Sequence, residues 1–375
     1  MKLGTWSRIG GALAAILWIA GAWPATSFAA IGDKPSLESI LERAESASSE
    51  TRGILAKELV DLGSSIDGRL FDALVEDAAR GRDFKTARPD VLLRAFVAMG
   101  PARWRPVLAS RLDSAQPVSA VKAILAIEER AGYAEDLPLA LYAAGLDRDG
   151  VCHASLETTL LCILLRDSAG FGTIDSTIPG VSVELRSIVV RAVEQTKKPA
   201  AAVLLARWIA SRREMRSECL PHLARLSLSL DKPLSPDVIG PVRALVEDGD
   251  ETIVREAVLC AGRLGDTDVV PALIRCLKEG EFGLRMDALW ALRSISGLKF
   301  SEDPAEWTRW FEAESRFWAD ESRDSFARLV AGSKAEKMAT LCAVSKLYGW
   351  RERIVAEITI ALDDADTDVA LLTVS

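Results

Sequence analysis

Apolar residues recur at three- and four-residue spacing from Leu37 to the end of the chain, and almost no stretch alternates apolar and polar residues as a strand does. This pattern predicts an all-α fold. Gly, Asp and Pro interrupt the pattern in runs such as "FVAMGPARW", "LVEDGDETI" and "GRLGDTDVVP", which divide the chain into short helices joined by turns.

A repeat is clearest between residues 238 and 297. Placing "VIGPVRALVEDGDETIVREAVLCAGRLG" over "DVVPALIRCLKEGEFGLRMDALWALRSISG" defines units of thirty or thirty-one residues and aligns Pro241 with Pro271, Val254-Arg255 with Leu284-Arg285 and, one residue on, Ala257 with Ala288. In each unit we expect a proline to open a first helix, an acidic or glycine turn to follow, and an apolar-Arg pair to begin a second helix. A single helix pair cannot bury its apolar faces, so neighbouring pairs must stack.

These units resemble HEAT repeats, whose consensus has Pro in the first helix, Asp in the turn, and Val-Arg and Ala in the second helix. The resemblance implies an α-solenoid of helical hairpins. It also implies that Asp250 and Arg255 are the turn acid and helix arginine that hydrogen-bond along a HEAT array, whereas Gly283 and Ala370 leave other copies imperfect.

The helical spacing of apolar residues suggests a division of the chain into segments. The stretch "DSAGFGTIDSTIPGVS" interrupts this spacing with three glycines and Pro179, so we expect a loop there. The predicted segments are a signal peptide (1–29), an N-terminal helical-repeat sub-array (30–166), an irregular loop (167–182), HEAT-like repeats (183–297), an aromatic helix insert (298–320) and C-terminal HEAT-like hairpins (321–375).

The first residues have the pattern of a secretory signal. Lys2 and Arg8 precede a short apolar core, and small residues at Ser27 and Ala29 predict cleavage after Ala29. The alternative is an uncleaved membrane anchor, but the apolar run 9–23 is shorter than the roughly 20 residues that span a bilayer. We therefore expect a periplasmic or secreted protein with no membrane span in the mature chain.

Charge disfavours nucleic acid as a partner. Removing Lys2 and Arg8 from 46 basic residues leaves 44 against 54 acidic ones, a formal charge of −10 for the mature chain. No Lys/Arg run exceeds two residues, so a basic stripe that would neutralise phosphates is missing.

Candidate chemistry is sparse, and we expect no catalytic residue, cofactor or metal. The six cysteines form no C-x-x-C, and Cys260 and Cys276, on either side of the turn "GDTD", either pair as a disulfide or remain buried free thiols. The two histidines, His153 and His222, are expected at the surface or at helix caps. No P-loop, G-x-S-x-G or dinucleotide motif occurs.

The stretch "DPAEWTRWFEAESRFW" concentrates aromatic residues on one predicted helix. Asp303 as N-cap, Pro304 at the first position and Glu306 reaching back to the cap predict its start. One arc holds Trp307, Trp310, Phe311, Phe317 and Trp318, which predicts a buried face packed on adjoining hairpins. Similar segments resemble ends of HEAT arrays in secreted bacterial proteins of unassigned role.

Glu314 lies in the middle of this arc, where an unpaired buried carboxylate would be costly. We expect it to bind an arginine of a neighbouring helix. The alternative is a half-covered aromatic groove that contains an acid.

These observations predict a non-catalytic extracytoplasmic HEAT-repeat scaffold that binds a protein or peptide on its concave helical face. The candidate surface comprises the second-helix residues Arg255, Glu256, Arg285 and Asp287. The alternative is an enzyme or cofactor-binding protein with its site near the aromatic helix 303–318, where Glu314 would act as acid or base, by analogy with HEAT-like lyases.

Overall fold

A computed structural model describes residues 35–112, 117–231 and 234–374. In these ranges all regular structure is helical, which confirms the all-α prediction. The α-helices have 8 to 15 residues, too few to be stable alone in water, so packing between helices must stabilise them. The predicted signal peptide, 1–29, lies outside the described residues.

The helices follow one another with short turns. The first nine are α1 (Leu37–Ala44), α2 (Ser49–Asp61), α3 (Asp67–Ala79), α4 (Ala87–Met99), α5 (Pro101–Arg111), α6 (Val118–Ala131), α7 (Leu137–Gly145), α8 (His153–Arg166) and α9 (Gly170–Thr177). The next seven are α10 (Val183–Gln195), α11 (Pro199–Ser211), α12 (Arg216–Leu226), α13 (Pro236–Leu245), α14 (Glu251–Leu264), α15 (Val270–Glu279) and α16 (Phe282–Ser296). The C-terminal part has α17 (Pro304–Arg316), a π-helix (Phe317–Glu321), α18 (Ser322–Ala331), α19 (Lys334–Val344), α20 (Arg351–Ile358) and α21 (Thr367–Val374).

The even-numbered helices from α2 to α16 pack side by side in chain order, and we call this continuous layer the second-helix row. Most odd-numbered helices pack on the even-numbered helix that follows them. One hydrophobic core extends from Leu37 to Trp310. The helices after α17 pack around two small separate clusters, one near Leu329 and Val369 and one near Phe317 and Ile354.

Polar contacts link neighbouring hairpins at the spacing of one repeat. Arg191 binds Glu157 34 residues earlier (Nε to Oε2, 3.0 Å), and Arg255 binds Asp287 32 residues later (Nε to Oδ2, 2.6 Å). Lys198 Nζ donates to the carbonyl of Leu164, 34 residues earlier, at 2.8 Å. Each helical hairpin therefore contacts chiefly the hairpins next to it, as in a HEAT solenoid.

The prediction of an irregular loop over 167–182 was wrong for most of that segment. Residues Gly170–Thr177 form α9, and a 3₁₀ turn, Ile178–Gly180, extends it. Gly170 allows close packing rather than a turn, because a Cβ there would lie 3.0 Å from Leu164 Cδ2 and 3.2 Å from Leu137 Cδ1. Phe171 and Ile174 bury the apolar face of this helix.

Proline opens the first helix of only one of the two aligned units. Pro271 is the second residue of α15, as predicted, but Pro241 is the sixth residue of α13, which begins at Pro236. Ser235 caps α13 by accepting a hydrogen bond from the Asp237 amide, at 3.3 Å, and so fixes the earlier start. Pro241 then removes one hydrogen bond from the helix interior.

All six cysteines are free thiols in the structure, and Cys260 and Cys276 are not bonded to each other. Cys152, Cys219 and Cys260 are buried, and burial raises the pKa of the Cys260 thiol to about 12. In the described part of the chain, none of the helices combines the length and apolar character needed to cross a bilayer.

Candidate functional site

The predicted partner surface lies on α14 and α16, two neighbours in the second-helix row. Arg255, Glu256 and Asp287 line one groove of about 330 Å³ together with Glu251, Thr252 and Leu259. Arg285 does not line this groove, and its guanidinium lies 5.9 Å from the centroid of the Phe282 ring. Tertiary structure thus brings three of the four predicted residues, Arg255, Glu256 and Asp287, into one groove and leaves Arg285 outside it.

The Arg255 side chain spans the two helices of this surface. Its Nε donates to Asp287 Oδ2 at 2.6 Å, and this contact raises the pKa of the guanidinium. Gly283 makes room for it, because a Cβ at that position would lie 3.1 Å from Arg255 Cζ. The glycine that makes this repeat copy imperfect therefore permits the contact between units.

Asp250 and Arg255, matched by the resemblance to the turn acid and helix arginine of a HEAT array, do not hydrogen-bond to each other. Asp250 Oδ1 accepts a hydrogen bond from the Thr252 amide at 3.0 Å, and the residue is the N-cap of α14. An aspartate side chain is short and satisfies a free amide of the first turn. Arg255 lies a full turn further along and reaches the next unit instead.

Glu256 is a carboxylate of the groove with one buried, unpaired oxygen. Its Oε2 is buried and has no hydrogen-bond partner among the described residues. Burial raises the pKa of this carboxyl group, and the nearby charges of Asp250 and Glu218 raise it further. A negative charge here lacks the cation that would offset its desolvation.

An exposed apolar stripe adjoins the groove on α16. It consists of Phe282, Met286 and Trp290, which are 67%, 37% and 41% exposed. Their i, i+4, i+8 spacing places them along one line of the helix surface. Sequence reasoning missed this stripe, although the spacing is visible in "FGLRMDALW", because α16 carries apolar residues on its core face as well.

The first half of the aromatic helix α17 packs against the main hydrophobic core. Asp303 caps α17 by accepting from the Ala305 amide at 2.9 Å, whereas Glu306 reaches the Ser301 amide at 3.2 Å rather than the cap residue itself. Trp307 and Trp310 are buried, and the Trp307 indole donates to the Ser301 carbonyl at 2.9 Å.

The prediction that Glu314 binds an arginine of a neighbouring helix was wrong. The carboxylate is buried and accepts three hydrogen bonds: from the Trp310 indole at 2.6 Å and from the amides of Tyr348 and Gly349, both at 2.7 Å. Backbone amides supply the positive end of a dipole and replace the expected guanidinium. These contacts satisfy the buried carboxylate without a cation.

The five aromatic side chains do not form one continuous buried face. The π-helix at Phe317–Glu321 changes the helical register, and Phe317 joins the C-terminal cluster with Trp318 packed against it. Phe311 and Trp318 are only half-buried. The Phe311 ring stacks on Trp350 with centroids 5.6 Å apart, and the Arg353 guanidinium lies 4.1 Å from the Trp318 ring centroid.

The histidines occupy two different settings. His153 is the first residue of α8, in keeping with a position near a helix cap. His222 is buried in the middle of α12 and contacts Glu194 and Arg225, so the expectation of a surface or capping position was wrong for this residue. No group of three or more metal-binding side chains occurs in the ranges that the structure covers.

Comparison with known proteins finds a family match over part of the chain. Residues 213–293 match the family of HEAT repeats, so the chain contains HEAT repeats in the region that holds α14 and α16. Among solved structures, the crystal structure of an engineered protein matches at 14% identity over 90% of this chain and 96% of that one, with a TM-score of 0.32. A likeness of that size carries no argument about function. No curated protein matches the chain.

Proposed function

We propose that the protein is a non-catalytic, extracytoplasmic HEAT-repeat scaffold that binds a protein or peptide partner on the second-helix row at α14 and α16. One observation carries the proposal: three large apolar side chains, Phe282, Met286 and Trp290, are exposed in a single stripe beside a groove. Burying each of them against a partner would contribute about 1.5–3 kcal/mol. Contiguous exposed apolar surface is typical of interaction sites.

The extracytoplasmic part of the proposal rests on residues 1–29 alone. It is tested by expressing the full chain in a bacterium and determining the N-terminus of the protein in the periplasmic or culture fraction. We expect a mature chain that begins at Ala30. Recovery of the uncleaved chain from the cytoplasm would contradict this part of the proposal.

Binding is tested by immobilising the mature chain and comparing captured proteins from periplasmic extract among variants. We expect Phe282→Ser and Trp290→Ser to lose a partner that the wild type retains. Ile54→Ser is the matched control, because Ile54 is 62% exposed on α2 at the other end of the same row. A partner retained equally by all four proteins would place the interface elsewhere.

A further inference from the structure

The groove on α14 and α16 has an excess of carboxylates. Among the described residues its lining includes Glu251, Glu256 and Asp287 but only one cation, Arg255. Because Arg255 already binds Asp287, it does not satisfy the buried Oε2 of Glu256. Glu256 Oε2 is therefore an acceptor without a hydrogen-bond donor among the described residues.

A second groove of about 390 Å³ continues the same acidic surface, with Glu251 as a shared wall. It lies at the turns of the two HEAT units and is lined by Glu279 and Glu281, which have no ion-pair partner among the described residues. Its one cation, Arg275, binds Glu247. Val246, Val254 and Leu284 supply apolar walls.

Apolar and acidic surfaces meet at α16. Asp287 lines the first groove and is the next residue after Met286 of the stripe. From Phe282 to Trp290 the helix rises about 12 Å, which corresponds to roughly four residues of extended chain. A partner segment of that length can cover the stripe and place a neighbouring side chain in the groove.

We infer that this surface, granted the proposed function above, recognises a partner segment in which Lys or Arg stands next to apolar side chains. The cation enters the groove and pairs with the Glu256 carboxylate, while the apolar side chains cover Phe282, Met286 and Trp290. Charge complementarity selects this segment, because an acidic one would bring a like charge towards Glu251 and Glu256.

The test uses the mature chain and a displayed library of random 12-residue peptides. We expect selected peptides to be enriched in Lys or Arg adjacent to Leu, Phe or Trp. The strongest peptide is then synthesised with a fluorescent label, and its Kd is measured by anisotropy. Glu256→Gln should raise Kd about tenfold by removing the charged acceptor. Glu357→Gln, a change at an exposed glutamate of α20, should leave Kd unchanged.

Trp290→Ala separates failure of this inference from failure of the proposed function. Peptides that lose affinity in Trp290→Ala but contain no basic enrichment, or ignore Glu256→Gln, would overturn the inference and leave the scaffold proposal standing. Peptides unaffected by Trp290→Ala, or a library without any selected binder, would overturn both. Thermal unfolding of each variant checks that the change in Kd does not come from loss of folding.

Discussion

The amide of Gly349 donates a hydrogen bond to Glu314 Oε2 at 2.7 Å, across 35 residues of sequence. This contact joins the aromatic helix α17 to the turn before α20. The same turn reaches the HEAT units, because the Trp350 amide donates to Thr267 Oγ1 at 3.3 Å and Arg351 donates to the Ser296 carbonyl at 3.3 Å. Glu314 is thus one of three acceptors, with Thr267 Oγ1 and the Ser296 carbonyl, that hold the turn before α20 in place.

Replacing Glu314 by Ala should destabilise the protein by about 2–4 kcal/mol, because two buried amides and an indole lose their acceptor. Urea unfolding followed by tryptophan fluorescence measures the change. Glu312→Ala, at an exposed position of the same helix, is the control and should change the free energy of unfolding by less than about 0.5 kcal/mol. Equal stability of the two variants would contradict the role assigned to Glu314.

Gly349→Ala should also be destabilising, by about 1–3 kcal/mol. An added Cβ would lie 2.9 Å from Glu314 Oε2 and 3.3 Å from Thr267 Cγ2, so the turn must move. Gly172→Ala in α9 is the matched control, since a Cβ there meets nothing within 4 Å and alanine favours a helix. The difference in melting temperature between the two variants checks the prediction.

Glu128 should make the stability of the protein fall as pH rises. It is buried in α6, both carboxylate oxygens lack a hydrogen-bond partner, and burial followed by the charge of Asp136 raises its pKa well above 4.5. A group whose folded pKa is raised contributes its full stability below the unfolded pKa and loses it as pH rises through the folded pKa.

The Glu128→Gln variant removes this titration. Its advantage in unfolding free energy over the wild type should be smallest near pH 4 and should grow towards neutral pH, as measured by urea unfolding at several pH values. Glu129→Gln on the same helix serves as the control for general charge effects. A difference between Glu128→Gln and wild type that does not change with pH would refute the prediction.

Arg255 should couple to Asp287 and not to Asp250. A double-mutant cycle with Arg255→Ala and Asp287→Ala should give a small but measurable favourable coupling free energy, since the pair is partly exposed. The corresponding cycle with Asp250→Ala should give a coupling near zero. Asp250→Ala alone should cost about 1 kcal/mol through loss of the cap on α14. Equal coupling in both cycles would contradict the assignment of Asp287 as the partner of Arg255.

Thiol accessibility should follow burial. In the native protein Cys342, the exposed thiol, should react first with a thiol reagent, whereas Cys219 and Cys260 should react only after unfolding because burial raises the pKa of both and limits access. Mass spectrometry of alkylated protein gives the order. A Cys260–Cys276 disulfide, detected as a loss of two reactive thiols in urea, would contradict the structure.

The fold was predictable to the extent that it follows from local periodicity. The apolar spacing and the aligned pairs around Arg255 and Arg285 predicted stacked helical hairpins, and the structure and the family match agree on HEAT repeats. Gly170 shows the limit of that reasoning. A glycine can serve a turn or a close helix contact, and only the position of Leu164 and Leu137 decides between them.

The sequence by itself determined most of the helices, their stacking and the acidic character of the chain, because these depend chiefly on residue spacing and composition. Tertiary structure decided the partners of the charged side chains. The amides of Tyr348 and Gly349 bind Glu314, and Asp287 binds Arg255, whereas Glu256 Oε2 has no donor among the described residues. The exposure of Phe282, Met286 and Trp290 also depends on packing, because an apolar helix residue is buried only where another element covers it. Contacts between residues 30 or more positions apart depend on how the repeats stack, and the local spacing of residues does not predict them.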